Sequence, residues 1–214
     1  MSETIYLKKS GEGLYEEKKS RFIAVTYPVK DPQEAQDIID ETRKKYWDAR
    51  HNCYAYAIGP ANEVTKCSDD GEPSGTAGRP ILEVITGSGV HNCLVIVTRY
   101  FGGTLLGTGG LVRAYTKSAS EAIKASLLVT LTEGARLTVR TDYNSFNLIK
   151  NIAADGSAAI KDIIYDAGVT MIIECAANVS DVLFDKITDA TSDQAVIEVK
   201  DAGLIEIISQ VSSV

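Results

Sequence analysis

No apolar run in the 214-residue chain reaches the roughly 18–20 residues that a bilayer-crossing helix needs. The first twenty residues, MSETIYLKKSGEGLYEEKKS, are polar and lack the apolar stretch of a secretory leader, so the expected compartment is the cytoplasm. There is no Cys-x-x-Cys pair, and His51 and His91 are the only histidines, which argues against a structural zinc site. Cys53, Cys67, Cys93 and Cys175 are read as reduced thiols, because a chain of this size needs no disulfides and nothing marks it for export. Positive charge is scarce in the last third. Residues 131–214 hold 6 Lys/Arg against 13 Asp/Glu, whereas the first 130 residues hold 16 of each, so the net charge of −7 sits at the C-terminal end. This asymmetry supports two domains with different surfaces. It also argues against nucleic-acid binding by the last third, since phosphate contacts rely on cationic side chains.

Catalytic fingerprints are missing as well. Gly102-x-x-x-x-Gly107 has the spacing of a phosphate-binding P-loop, but Thr108–Gly109 stands where a lysine and a Ser/Thr are needed. A G-x-G-x-x-G pattern starting at Gly107 meets Val112 in place of its last glycine. No G-x-S-x-G elbow or H-E-x-x-H pair occurs. His51 and Cys53 could act as base and nucleophile only if both faced a cleft. The simpler reading is a locally bonded histidine beside a small buried residue.

What the chain does hold is a glycine-rich stretch, VTRYFGGTLLGTGGLVRAY from Val97 to Tyr115, between an apolar strand and an amphipathic helix. Glycines there bring bare backbone N–H groups to a surface, where they can receive an anion, although they can also serve packing alone. The preceding run Asn92–Thr98 reads as a strand buried on both faces. The helix is expected over Leu111–Leu127, with Leu111, Ala114, Tyr115, Ser118, Ala122 and Ala125 on one face. Upstream, Thr4–Lys9 and Leu14–Lys18 read as a hairpin about Gly11 and Gly13, followed by the basic cluster Lys18–Lys19–Ser20–Arg21 and a strand over Phe22–Val29. Asp31, Pro32 and Glu34 give a helix start with a capping box, and Ala35, Ile38, Ile39 and Tyr46 lie near one face of that helix. His51–Gly59 alternates as a strand, with Cys53, Ala55 and Ala57 on one side and Tyr54, Tyr56 and Ile58 on the other.

Residues 60–80 crowd acidic, hydroxyl, glycine and arginine groups, a composition that predicts a long surface loop. Asp69, Asp70 and Glu72 could hold a divalent cation, but pairing with arginines such as Arg79 and Arg99 is favoured. Ser74 and Thr76 are candidate caps for a helix opening at Pro80. Glu133–Gly134 is the expected domain boundary. Beyond it come a strand (Ala135–Asp142), a helix (Tyr143–Ala154) and a hairpin of Ala158–Tyr165 with Val169–Ala176. A helix over Asp181–Ala190 capped by Ser180 and strands over Ala195–Val199 and Leu204–Ile208 follow. The order β-α-β-β-α-β is the ferredoxin-like pattern.

Four blocks, KKSRF, HNCYAYAIG, SDDGEPSGTAGRPILEV and VTRYFGGTLLGTGGLVRAY, occur in this order over residues 18–115. Together they resemble the YigZ/IMPACT family, in its bacterial two-domain form. The resemblance implies an α+β fold. Residues 1–133 would form an N-terminal domain similar to the second domain of a small-subunit ribosomal protein. Residues 134–214 would form a ferredoxin-like domain similar to the last domain of elongation factor G. It further implies a translation-associated protein, since eukaryotic relatives are tied to translational control and bacterial ones to nucleic acid or the ribosome. Some relatives carry a lysine where this chain has Leu105.

Two functions follow as expectations. The first is a non-catalytic protein of translation or its regulation, binding RNA, the ribosome or a translation factor, with no cofactor, no metal and no membrane partner. Its anion pocket would be built from Ser74, Thr76, Arg79, Arg99, Gly102, Gly103, Gly107, Gly109, Gly110 and Arg113, with Lys18, Lys19 and Arg21 as outlying phosphate contacts. The alternative is a hydrolase acting on a phosphorylated or peptide substrate through Asp69 and Asp70.

Overall fold

The computed structural model describes residues 4–155 and 158–209. The chain forms two compact α+β units, the second spanning Leu131–Ile207 and the first taking the described residues on either side of it.

The N-terminal unit is built on a five-stranded antiparallel sheet. Its strands are β2 (Glu12–Glu17), β3 (Ser20–Pro28), β4 (His51–Ile58), β5 (Val64–Ser68) and β7 (Cys93–Tyr100), in the order β2-β3-β7-β4-β5. Strand alternation decides what each face can bury. Phe22, Ala24, Cys53, Ala55, Ala57, Val95 and Val97 point to one face, where α2 (Gly78–Gly87) and α3 (Gly107–Lys124) cover them with Ile81, Ile85, Ala114, Tyr115 and Ala122. Tyr54, Tyr56, Ile58, Leu94 and Ile96 point to the other, against Ala35 and Ile39 of α1 (Pro32–Lys45). The central strand β7 is therefore apolar on both sides, as its sequence requires. Helix α1 starts as expected: Asp31 Oδ1 accepts the Glu34 N–H at 2.8 Å, and Glu34 Oε2 reaches back to the Lys30 N–H at 2.8 Å.

Several expectations fail for identifiable reasons. The first two strands are not a hairpin. Strand β1 (Ile5–Lys9) pairs with the short β6 (Val90–His91) and with the start of β8 (Leu127–Thr141), while β2 pairs with β3. The hairpin turn lies at Lys18–Lys19, both with positive φ (46° and 65°). The upstream glycines serve contact, because a methyl at Gly13 would lie 2.6 Å from Ser118 O and Ala122 N of α3. Residues 60–80 are not all loop. β5 forms an exposed edge strand through backbone pairing with β4, which asks little of side-chain composition. Helix α3 begins one turn earlier than expected and takes Gly107, Gly109 and Gly110 into its first turn. β8 already starts at Leu127 and runs through Glu133–Gly134.

The C-terminal unit follows the order β8, α4 (Phe146–Asp155), β9 (Ala159–Tyr165), β10 (Val169–Ala176), α5 (Ser180–Thr191) and β11 (Val196–Ser209). Its strand order β11-β8-β10-β9, antiparallel wherever the register is fixed, is the ferredoxin-like arrangement. Leu137, Val139, Met171 and Ile173 of the sheet pack with Ile149, Leu183 and Ile187 of the helices. The β9–β10 turn falls at Asp166–Gly168, where Asp166 Oδ1 accepts the Gly168 N–H at 2.9 Å. Ser180 is the first residue of α5 rather than its cap, and its hydroxyl donates to the Ala177 carbonyl at 2.8 Å.

Candidate anion-binding site

One row of side chains crosses the end of the five-stranded sheet. The register places Arg99 of β7 opposite Phe22 of β3 and opposite His51 of β4, all three on the face that α3 covers. The Arg99 guanidinium lies 5.3 Å from the centre of the Phe22 ring and 5.7 Å from that of Phe101. Tyr115 of α3 meets Phe22 edge-on, with centroids 5.1 Å apart. Glu72 enters this row from the loop after β5. Its Oε1 accepts from Arg99 Nη1 at 2.5 Å and from the Tyr115 hydroxyl at 2.9 Å, and His51 Nε2 stands 4.0 Å away. The Glu72 and Arg99 side chains are 3% and 7% exposed.

The loop that delivers Glu72 is fastened along its length. Asp69 accepts the N–H groups of Gly75 (2.8 Å), Ala77 (3.0 Å) and Gly78 (2.8 Å). Burial works against ionisation of Asp69, but these three donors outweigh it and hold the carboxyl below its ordinary value. Asp70 is bound by Arg43 and by the Asn52 N–H, each at 2.7 Å. His51 Nδ1 donates to the Asp70 carbonyl at 2.9 Å, since a carbonyl can only accept. The pairing of acids with arginines thus holds for Asp70 and Glu72, with Arg43 and Arg99. Asp69 instead satisfies the start of α2, which neither Ser74 nor Thr76 caps.

Between this loop and the start of α3 lies a cavity of about 400 Å³. Arg50, His51, Glu72 and Arg99 line its polar side, and Phe101, Leu105, Leu106 and Leu111 its apolar side. Gly107 and Thr108 close it with the first turn of α3, whose N-terminus carries no side-chain cap. Uncapped N–H groups and the positive end of the helix dipole make that turn receptive to an anion. Gly109 in the same turn has no other account. Its φ is not in the left-handed region and no atom stands within 4 Å of where a Cβ would be, so neither backbone strain nor crowding demands glycine there.

The cavity brings some of the expected residues together and leaves others apart. Arg99 and Gly107 line it. Gly103 and Gly107 have φ of +87° and +72°, and Gly110 packs on Leu106. Gly102 lies against the backbone of Lys19 and Ser20, so the Lys18–Lys19 turn adjoins the glycine stretch. Arg113 stands exposed on α3. Arg21 is on the opposite face of the sheet, 3.9 Å from Glu16 and over the Tyr100 ring. Ser74 is exposed on the loop, Thr76 is buried and donates to the Pro73 carbonyl, and Arg79 is exposed and pairs with Glu83 at 3.1 Å. The Glu72–Arg99 pairing is among those expected from the sequence, whereas the part of Tyr115 and the lining by Arg50, His51, Phe101 and Leu105 are not legible there. Their partners lie tens of residues away. Cys53 is buried and its thiol donates to the Asp69 carbonyl at 2.9 Å, which fits the small buried residue of the simpler reading; burial pushes this thiol up, and the Tyr115 phenol as well.

Residues 18–123 match the Impact N-terminal domain, and residues 139–194 match a domain of unknown function, DUF1949. The IMPACT family member YvyE of Bacillus subtilis (strain 168) is 38% identical over 190 residues, spanning 87% of this chain and 88% of the relative. The chain belongs to the IMPACT family. IMPACT family member YigZ of Escherichia coli (strain K12) is 35% identical over 162 residues, 75% of this chain and 79% of the relative. A crystal structure of a hypothetical protein aligns at 30% identity with a TM-score of 0.58, covering 92% of this chain and 97% of the other. Within this IMPACT-family chain the four sequence blocks converge in space. KKSRF is the β2–β3 turn, HNCYAYAIG is β4, SDDGEPSGTAGRPILEV is the fastened loop with α2, and VTRYFGGTLLGTGGLVRAY joins β7 to α3. No helix among the described residues is long and apolar enough to cross a membrane.

Proposed function

We propose that this IMPACT-family chain is a non-catalytic binding protein of translation or its regulation. It takes an anionic group of RNA, the ribosome or a translation factor into the cavity at the start of α3. The observation that carries this reading is the uncapped, glycine-rich first turn of an 18-residue helix opening onto a cavity that holds Arg50 and Arg99. Gly109 stands in that turn where neither a left-handed φ nor crowding calls for glycine. Close approach of a ligand to bare backbone accounts for it. The hydrolase alternative draws less support, because both oxygens of Asp69 and of Asp70 are engaged by the protein's own donors.

Thr108→Asp separates binding from stability. A carboxylate in the first turn favours the helix by about 0.3–1 kcal/mol, so the melting temperature should hold or rise. The same carboxylate occupies the anion position, and co-sedimentation with ribosomal particles at low salt should fall by roughly 10-fold, equivalent to about 1.4 kcal/mol. Co-sedimentation equal to wild type in a stable Thr108→Asp protein rules the cavity out as the site.

A further inference from the structure

Trp47, the only tryptophan of the chain, is 83% exposed in the turn that joins α1 to β4. An aromatic ring of this size normally contributes through burial, and here that contribution is forgone. The turn is well fixed. The Ala49 N–H donates to the Tyr46 carbonyl at 3.0 Å, and Asp48 accepts the Tyr100 hydroxyl at 2.8 Å from the end of β7. Three residues after Trp47, Arg50 lines the cavity. Cations precede and follow the ring in the chain. Arg43 is committed to Asp70, and Lys45 lies 5.0 Å from the centre of the Tyr46 ring. Lys44 and Arg50 are exposed, and no hydrogen bond or ion pair engages either of them among the described residues. Cations at the end of α1 also complement its dipole, but a dipole requires no exposed indole. The one acid within the turn, Asp48, is bonded to Tyr100.

An exposed aromatic ring with exposed cations three residues before and after it, the second of them lining an anion-receptive cavity, matches a chain of bases and phosphates. We infer that the α1–β4 turn is a stacking platform for single-stranded nucleic acid: a base lies on Trp47, Lys44 and Arg50 meet the flanking phosphates, and the strand leads on to the cavity. The inference rests on the anion-binding reading above and names its partner. Single strands are required because a base within a duplex has both faces stacked already. The net charge of the first 130 residues is zero, so the site depends on this local segregation of charge and not on an overall basic surface.

The single tryptophan makes the test direct. The full chain is titrated with a 12-nucleotide oligouridylate, its deoxythymidylate counterpart and a duplex RNA of equal length, with Trp47 fluorescence as the readout. Saturable quenching by both single strands and at least 10-fold weaker quenching by the duplex are expected. Affinity should fall roughly 20-fold between 50 and 200 mM salt, as about three neutralised phosphates require. Trp47→Ala should bind a labelled oligouridylate at least 10-fold more weakly with an unchanged melting temperature. The absence of quenching, or Trp47→Ala binding within twofold of wild type, overturns the platform. So does quenching by a ribosomal protein or translation factor in place of the oligonucleotides. The two readings fail separately. A Thr108→Asp protein that loses ribosome co-sedimentation, alongside a Trp47 that no oligonucleotide quenches, retains the cavity and removes the platform. Quenching that persists in a Thr108→Asp protein whose ribosome co-sedimentation also equals wild type retains the platform and removes the cavity.

Discussion

Arg99→Ala is expected to lower the unfolding free energy by about 3–5 kcal/mol, the usual cost of removing one member of a buried ion pair. The variant leaves Glu72, with its side chain 3% exposed, holding a negative charge with the Tyr115 hydroxyl as its remaining hydrogen-bond donor and His51 Nε2 4.0 Å away. It also removes the planar cation between Phe22 and Phe101. Arg99→Lys should recover part of the loss, because an ammonium keeps the charge but not the flat contact with both rings. Adding Glu72→Gln to Arg99→Ala should recover more, since the amide oxygen still accepts from Tyr115 without a buried charge. Urea unfolding of the three variants checks the order. A loss below about 1 kcal/mol for Arg99→Ala would mean that the pair is solvated and does not fasten the loop. Because Glu72 neutralises Arg99, the net attraction for an anion falls to the start of α3 and to Arg50. Loss of binding in Arg99→Ala would therefore be confounded with loss of the fold, which is why Thr108 is the better probe of the cavity.

The same pair marks the limit of what the sequence reveals. Features fixed by neighbours in the chain are legible. The Asp31–Glu34 cap, the alternation of β4 and the doubly buried β7 each follow from residues within one turn or one pleat. Composition suggests that the loop acids pair with arginines, but which acid meets Arg99 across 27 residues, and that Glu72 also takes the Tyr115 hydroxyl across 43, is recorded by no periodicity. Glycines misled in both directions. Gly11 and Gly13 carry the signature of a turn, yet they let β2 lie against the backbone of α3. Gly107, Gly109 and Gly110 read as loop because glycine disfavours helix, yet tertiary packing of Leu111, Ala114 and Tyr115 carries α3 through them. Exposure is likewise invisible to spacing. Trp47 follows a regular amphipathic helix, and only the folded chain leaves its ring in solvent.

Asp69→Asn is the second substitution with a large expected effect, about 2–4 kcal/mol at neutral pH, from weakening three hydrogen bonds to a charged acceptor. Oδ1 accepts from Ala77 and Gly78, and Oδ2 accepts from Gly75. An amide keeps one oxygen and turns an NH2 toward the remaining donor. The start of α2 also loses a negative charge from its positive end, where Ala77 supplies no side-chain cap. The pH dependence gives an independent check. The folded-state carboxyl lies below its ordinary value, so its stabilisation is complete above the unfolded value of about 3.9 and is lost as pH falls through the folded one. Wild-type stability should therefore drop below about pH 4, and the slope in that window should be shallower in Asp69→Asn. Asp69 and Glu72 share the fastened loop, so Asp69→Asn combined with Arg99→Ala should cost less than the two losses added together. Unchanged stability at pH 7 in Asp69→Asn would free this carboxylate from its structural part and return it to the hydrolase reading. A stability loss with the predicted pH signature leaves Asp69 no spare oxygen for a substrate or a metal.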